Sequence, residues 1–469
     1  MLADLLEILK NGKNKILYKI NHEVLTYEEG YRRVLKLSIN LKKQGNSPVI
    51  IYGNKNIDGF ISILSCIVAK RCYIPISLCT PNSRIKDIIK STKSTLLLKN
   101  EEININNIEC LTVNSLNSKY KNSIEQYNSN NNNAYIIFTS GSTGNSKGVP
   151  ITYDNLNHFI KWIIHLNEFQ NCNNLNVLSQ ANFSFDLSVM DIYFSIYKNC
   201  SIIAIDDNMK ENLSKIYNVI SFEKINFLIM TPTFIKLLML DNQFNEANFS
   251  SIKYMFFCGE CLEVTTVQKL RNRFPKVVII NAYGPTEATC CVSLTEITND
   301  MFKNEFLPIG KVDTSAVNID IINGEICLEG ESVFNGYIEE NMISCFRNKY
   351  YRTGDLGKII NNFLYCSGRI DSQIKYQGYR IELGDIENNL LKIDGIREAV
   401  VIVKYKTNTK IVKLVKAFVV LDIKMNENKI KEKLAKLVPS YMIPKTIIIL
   451  SQIPVNKNGK YDRKKLGEL

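Results

Sequence analysis

Tyr135-Ile-Ile-Phe-Thr-Ser-Gly-Ser-Thr-Gly-Asn-Ser-Lys-Gly-Val-Pro150 is the stretch from which the rest of the chain is read. A short apolar run, Ile136 to Phe138, has the composition of a buried strand. It leads into a segment where Thr139, Ser140, Ser142 and Thr143 alternate with Gly141 and Gly144, and Lys147 follows. Glycines let backbone N–H groups turn toward an anion, short hydroxyls add donors without bulk, and the lysine supplies a point charge. The stretch therefore reads as a phosphate loop at a strand end. It is not a Walker A loop, whose spacing would need Gly in place of Ser146 and a hydroxyl in place of Gly148. Some other nucleotide chemistry is implied.

Outward from that loop, strand-like runs alternate with helix-length segments. Pro48 to Gly53 and Tyr73 to Ile76 precede it, and Asn176 to Leu178, Ile202 to Ile205, Phe227 to Met230, Tyr254 to Phe257 and Val277 to Ile280 follow. After Pro150, Thr152 or Asp154 can cap an amphipathic helix. This alternation predicts an α/β fold, with mostly parallel sheets flanked by helices. Sites in such folds lie where strands end. Cys258-Gly-Glu260 and Asn281 to Glu287 each follow a predicted strand, as the phosphate loop does, so several loops should meet over one edge. From about Leu307 the pattern becomes strand-rich, with Asn323-Gly324 as a tight turn, which suggests a small β-subdomain. Beyond Asp371 the order changes to that of a separate α+β unit. The expected organisation is a core over residues 1–370, with the β-subdomain from about 307, and a small mobile lid domain over 371–469. The polar run Lys121 to Asn133 reads as a solvated linker loop.

Bulk properties narrow the function. No run of about 18 apolar residues exists, and the start lacks the basic and apolar blocks of a leader, so membrane insertion and secretion are not expected. Thirteen cysteines without regular spacing read as reduced thiols of a cytoplasmic protein. With only His22, His158 and His165 available, Cys258, Cys261, Cys290 and Cys291 do not suggest zinc. The net charge of +12 comes from scattered lysines, which favours acidic partners without implying nucleic acid. A monomer is expected.

Six separated strings can be read together: Thr139 to Lys147, Phe185-Asp-Leu-Ser-Val189, Asn281 to Thr289, Tyr351-Arg-Thr-Gly-Asp355, Gly368-Arg-Ile-Asp371 and Asn458-Gly-Lys-Tyr-Asp-Arg463. In order and spacing they resemble the adenylate-forming superfamily, in its amino-acid adenylation branch, over nearly the whole chain. Asn182 to Asp191, Met255 to Glu260 and Gly284 to Thr289 look most like the D-alanine:carrier-protein ligases of that branch, which serve teichoic acid D-alanylation.

The resemblance implies ATP and Mg²⁺ as cosubstrate and cofactor. A carboxylate attacking a polyanion needs charge neutralisation and in-line positioning more than a general base, so scarce histidine is no obstacle. By resemblance the loop Thr139, Ser140, Gly141, Ser142, Thr143, Gly144 and Lys147 would hold the β- and γ-phosphates. Thr286 would touch the α-phosphate and Glu287 would hold the metal. Tyr283 would stack on adenine beside Ala282 and Gly284, Asn281 would bond to its edge, Asp355 would accept the ribose hydroxyls, and Arg369 would reach the ribose or phosphate. Asp186 would bind the substrate ammonium, while Met190, Cys258 and Gly284 bound a small side-chain pocket. Lys460 would bridge substrate carboxylate and α-phosphate. Asp371 would be a hinge whose rotation withdraws Lys460 and presents the Gly378-Tyr-Arg380 face for thioester formation. The pattern departs from many D-alanine ligases at Ala282, Cys290 and Cys291, which concerns pocket shape. Without the resemblance, Asp186 reads as a helix cap and Asp355 as a turn residue.

Six residues follow Arg463, so an acidic phosphopantetheinylated carrier protein is expected in trans. Two other readings of the same motifs are an adenylation enzyme for another small amino acid and an acyl- or aryl-CoA ligase, the latter disfavoured by Asp186. A third, a catalytically dead nucleotide-binding protein, is opposed by Glu287, Asp355 and Lys460.

Overall fold

The computed structural model describes residues 2–119, 132–141, 144–338, 349–376, 378–405, 412–455 and 461–469. Ser142, Thr143 and Lys460 lie outside the described residues, as does most of the run read as a linker loop.

The quoted stretch forms a hairpin. Asn133–Thr139 pairs antiparallel with Lys147–Thr152, with Thr139 opposite Lys147, so the loop is a hairpin tip whose two arms hold both ends of the glycine-rich segment. The next helix, Tyr153–His165, starts at Thr152, whose hydroxyl and backbone close a reciprocal cap with Asn155. That cap fixes where the chain leaves the hairpin.

The hairpin is the edge of a six-stranded sheet, ordered Glu109–Leu111, Leu96–Lys99, Val49–Tyr52, Tyr73–Ile76, Asn133–Thr139 and Lys147–Thr152, parallel except at the last pair. A second sheet has eight strands, ordered Ser293–Glu296, Val278–Tyr283, Tyr254–Phe257, Phe227–Met230, Asn176–Ser179, Ser201–Ala204, Ile16–Ile20 and Glu23–Thr26. Its interior is parallel and its two edges antiparallel. Strands such as Phe227–Met230 are buried at every position, which explains why they read as continuous apolar runs rather than alternating ones. The parallel pattern is therefore divided between two sheets. One core joins them through Ile57–Val68, a helix buried at ten of its positions, where Phe60 stacks on Tyr18 with ring centroids 4.4 Å apart. Emptying that position with Phe60→Ala would cost about 3 to 5 kcal/mol.

A five-stranded antiparallel sheet follows, ordered Gly310–Lys311, Phe363–Arg369, Tyr350–Ile360, Glu325–Glu329 and Asn318–Ile322. Asn323 (φ 53°) and Gly324 (φ 81°) make its two-residue turn, where both positions need positive φ. The register places Asp355 directly opposite Arg369. A separate core gathers residues from Ile374 to Ile447. It belongs to the hairpin Gln373–Tyr376 and Tyr379–Glu382, the helices Leu383–Leu391 and Glu427–Leu434, and the sheet Ile396–Tyr405, Val412–Leu421 and Thr446–Leu450. Among the described residues no helix is long and apolar enough to cross a membrane.

Candidate active site

Strand ends of the eight-stranded sheet deliver the polar residues. Asp186 follows the strand Asn176–Ser179, Cys258 and Gly259 follow Tyr254–Phe257, and Gly284 to Glu287 follow Val278–Tyr283. Asp186, Cys258, Gly259 and Gly284 to Thr286, together with Asp355, Arg369, Lys375, Gly378 and Arg380, line one open cavity, and Glu287 lies just behind its wall. Gly284 has to be glycine, because a Cβ there would stand 2.4 Å from Cys291 Cα. The left-handed Thr289 and Cys290 that follow (φ 60° and 74°) bring Cys290 onto the cavity wall.

Asp186 is 7% exposed, and it does not cap the helix that starts after it. Among the described residues its one side-chain hydrogen bond comes from Thr286 Oγ1, at 2.6 Å, and it has no ion pair. Burial pushes its carboxyl up to about 6, although the Thr286 hydroxyl pulls the other way. A buried carboxylate without a cation is costly, and a bound ammonium would relieve that cost. Burial likewise drives the Cys258 thiol well above its usual range, so it is a neutral wall group and not a nucleophile. Met190, expected on the pocket wall, has no exposure and does not line the cavity; it lies behind Cys290, whose thiol sits against its backbone.

Glu287 has no exposure and, among the described residues, two side-chain partners: Tyr337 Oη donates to Oε1 at 2.5 Å, and Arg380 donates to Oε2 at 2.6 Å. Burial alone would raise its carboxyl, but the Arg380 charge and the two hydrogen bonds hold it below the ordinary value. Lys147 stands 5.1 Å from the centre of the Tyr337 ring, so the loop lysine and Glu287 meet through one phenol. Sequence reasoning passed over Tyr337, because nothing in Phe334-Asn-Gly-Tyr337 marks it before the fold brings it to Glu287.

Asp355 is 3% exposed and accepts from Tyr283 Oη and Arg369, both at 2.7 Å. Arg369 also forks onto both oxygens of Asp371, at 2.7 and 2.6 Å. The hinge candidate is thus tied to the ribose candidate through one guanidinium. Burial opposes the Asp371 charge, yet Arg369 outweighs it and keeps the carboxyl below its usual range. Tyr283 has Lys375 5.8 Å from its ring centre. Asn281 and Ala282 are buried in the strand, and the Asn281 amide donates to the Pro308 carbonyl at 2.8 Å.

The second core is seated on this site. Gly378 N donates to Glu260 at 2.5 Å, and Ser140 Oγ donates to the Arg380 carbonyl and accepts from Glu382 N, both at 2.9 Å. Arg84 donates to Ser146, to the Leu437 carbonyl and to Asp385. Gly144 (φ 85°) packs on Asn388 so closely that a Cβ would stand 2.7 Å from the Asn388 Cβ. Gly141 is equally constrained, since a Cβ would meet the Asn145 carbonyl at 2.1 Å. A second cleft runs along this boundary, past Thr80, Thr139, Ser140, Tyr379, Pro439 and Tyr441. Phe185, Thr286 and Arg380 border both cavities.

Among the described residues no group of three or more His, Cys, Asp and Glu side chains could hold a metal. A single ionised carboxylate such as Glu287 suits Mg²⁺, which keeps waters and takes its remaining oxygens from substrate phosphates.

Known proteins resemble this chain in sequence and in fold. Residues 8–338 match the model of the AMP-binding enzyme family, and residues 385–460 match that of the AMP-binding enzyme C-terminal domain. The chain is 35% identical over 478 residues to a D-alanine–D-alanyl carrier protein ligase of Listeria monocytogenes serotype 4b, covering 95% of this chain and 93% of that one. It is 34% identical to the protein of that name from Staphylococcus epidermidis, over 100% and 99% of the two chains. Among solved structures, the Vibrio cholerae adenylation domain AlmE in complex with glycyl-adenosine-5'-phosphate superposes with a TM-score of 0.85 at 21% identity, covering 99% and 96% of the chains. The o-succinylbenzoate CoA synthetase of Bacillus subtilis superposes with a TM-score of 0.85 at 17% identity, over 100% and 98%.

Proposed function

The chain belongs to the AMP-binding enzyme family as an ATP-dependent, AMP-forming ligase, and on that premise we propose that it activates D-alanine and hands it to a separate carrier protein. The observation that carries the amino-acid reading is Asp186, a buried carboxylate on the cavity wall that, among the described residues, accepts from one hydroxyl and has no ion pair. An α-ammonium completes it. An acyl or aryl acid without an amine would leave it uncompensated.

In the first half-reaction an oxygen of the D-alanine carboxylate attacks the α-phosphorus of ATP. The bond to the bridging oxygen breaks and pyrophosphate leaves, giving D-alanyl-AMP. Thr139, Ser140, Gly141, Gly144 and Lys147, with Ser142 and Thr143, cradle the leaving phosphates, while Thr286 faces the α-phosphate. Asp355 holds the ribose between Tyr283 and Arg369, Tyr283 offers the adenine a ring with Asn281 beyond it, and Lys460 meets the carboxylate. Glu287 is the residue to hold Mg²⁺, which when bound neutralises charge on the phosphates. In the second half-reaction the phosphopantetheine sulfur attacks the acyl carbon and AMP leaves, forming the thioester. The seated Gly378-to-Arg380 face supports reading this orientation as the transfer state, reached by rotation at Asp371 between units 1–370 and 371–469. The cleft past Thr80, Tyr379 and Tyr441 is the approach for the pantetheine arm. Teichoic acid D-alanylation in the cytoplasm is the setting that fits such an enzyme.

The test is ATP–pyrophosphate exchange with D-alanine, L-alanine, glycine, serine and β-alanine. D-alanine should give the highest kcat/KM. Since a small pocket separates one methyl by only about 1 to 3 kcal/mol, the margin over neighbours should be about 10- to 200-fold. A preference for any other acid would overturn the substrate, and exchange with none of them would overturn the adenylation reading.

A further inference from the structure

Glu287 is contacted from both sides of the domain boundary, and its two oxygens are treated differently. Oε1 accepts from Tyr337, which belongs to the same unit as Glu287; Oε2 accepts from Arg380, which arrives on the hairpin of the second core. We propose that Glu287 Oε2 is a single cation seat used in turn, by Arg380 when the second domain is docked and by the nucleotide-bound divalent ion when it is not, while Tyr337 holds Oε1 in both states. This rests on the ligase reading above, in which Glu287 is the metal residue.

The argument is one of capacity. Glu287 has no exposure, and the partly exposed Arg380 stands 2.6 Å from Oε2, so a second cation at that oxygen would meet a guanidinium in contact. A phenol is a neutral donor on the opposite oxygen and competes with neither cation. Docking and metal binding must then oppose each other, and by linkage each weakens the other by the same factor. Two further docking contacts move with Arg380: its own carbonyl accepts from Ser140, and the Glu382 N–H that follows donates to that hydroxyl. Releasing the seat therefore also releases the phosphate loop. Tyr337 is a positioning residue in this scheme, since it acts on the metal only through Glu287.

Mn²⁺ binding by the full chain, followed by electron paramagnetic resonance with α,β-methylene-ATP present, reads the seat without turnover. Arg380→Ala and Arg380→Gln should each bind Mn²⁺ with the nucleotide at least fivefold more tightly than wild type, with no tightening of the metal-free nucleotide. Tyr337→Phe should weaken Mn²⁺ several-fold in the wild-type and Arg380→Gln backgrounds alike. Small-angle scattering should show wild type expanding on addition of Mn²⁺ and nucleotide. Unchanged or weaker Mn²⁺ binding in both Arg380 variants would overturn the shared seat while leaving the ligase reading intact. No Mn²⁺–nucleotide binding by wild type would overturn both.

Discussion

Glu287 and Asp191 are both carboxylates without exposure to solvent, yet they are buried in opposite ways. Asp191 accepts from Ser179 Oγ at 2.5 Å, and Ser179 in turn accepts from Lys55 at 2.7 Å, all inside one core. Burial raises the Asp191 carboxyl and lowers the Lys55 ammonium, and each one's charge opposes that shift in the other. That cluster holds together the strand Asn176–Ser179 and the turn Met190–Phe194, and no domain movement can open it. Glu287 draws its cation from Arg380, 93 residues away on the docked hairpin. A charge pair placed across a boundary can be broken without unfolding anything, whereas one placed within a core can be broken only at the expense of the fold.

The largest contrast should appear between two isosteric variants. Glu287→Gln should reduce pyrophosphate exchange by about 10²- to 10³-fold, as for loss of one charge-stabilising group at the reacting phosphates. It should cost little stability, because Arg380 can leave with its domain. Asp191→Asn should do the reverse, costing about 3 kcal/mol by leaving Lys55 without its counter-charge while exchange per folded molecule stays near wild type. Thermal melts beside the exchange assay check both, and equal stability losses would erase the distinction.

A smaller effect sharpens the same comparison at Asp186, the buried carboxylate that has no ion pair among the described residues. Asp186→Asn should raise KM for the amino acid about 10- to 100-fold through loss of a charge-assisted bond. Because its value is raised to about 6, the ammonium-binding form disappears as pH falls through that value, so kcat/KM for the amino acid should drop on the acid side of pH 6. Stability has the opposite sign. The folded chain binds this proton more tightly than the unfolded chain, so stability is lost as pH rises from about 4 through about 6, and the full cost of the charge is present above that. Asp186→Asn should then stabilise the ligand-free protein there, by about 2 kcal/mol. Melts at pH 5 and pH 8 separate this from a packing effect, which would not depend on pH.

Much of this was legible in the sequence where local chemistry carries it. Parallel strands buried on both faces leave continuous apolar runs, and Phe227–Met230 and Tyr254–Phe257 are readable to the residue. The turn at Asn323-Gly324 announced itself by its need for positive φ. The division into two sheets was not readable, because strand order depends on contacts far apart in the chain. Long range also hid Tyr337 behind Glu287, 50 residues earlier. Asp186 was chosen as a binding residue against the ordinary reading of a helix cap, and the missing cap bond supports that choice. Met190 differs: the resemblance implied a place on the pocket wall, and the π-helical turn Met190–Phe194 buries it one layer behind.

The central claim is that docking of the second domain serves transfer and excludes adenylation. Ser83 Oγ donates to the Lys436 carbonyl at 2.9 Å across that boundary, at an exposed position away from the cavity. Ser83→Cys with Lys436→Cys, joined by a short bifunctional thiol reagent and compared with identically treated wild type, would lock the domain in place. The locked enzyme should lose pyrophosphate exchange and still pass D-alanine from supplied D-alanyl-AMP to the carrier. Exchange at the wild-type rate in the locked enzyme would contradict the account.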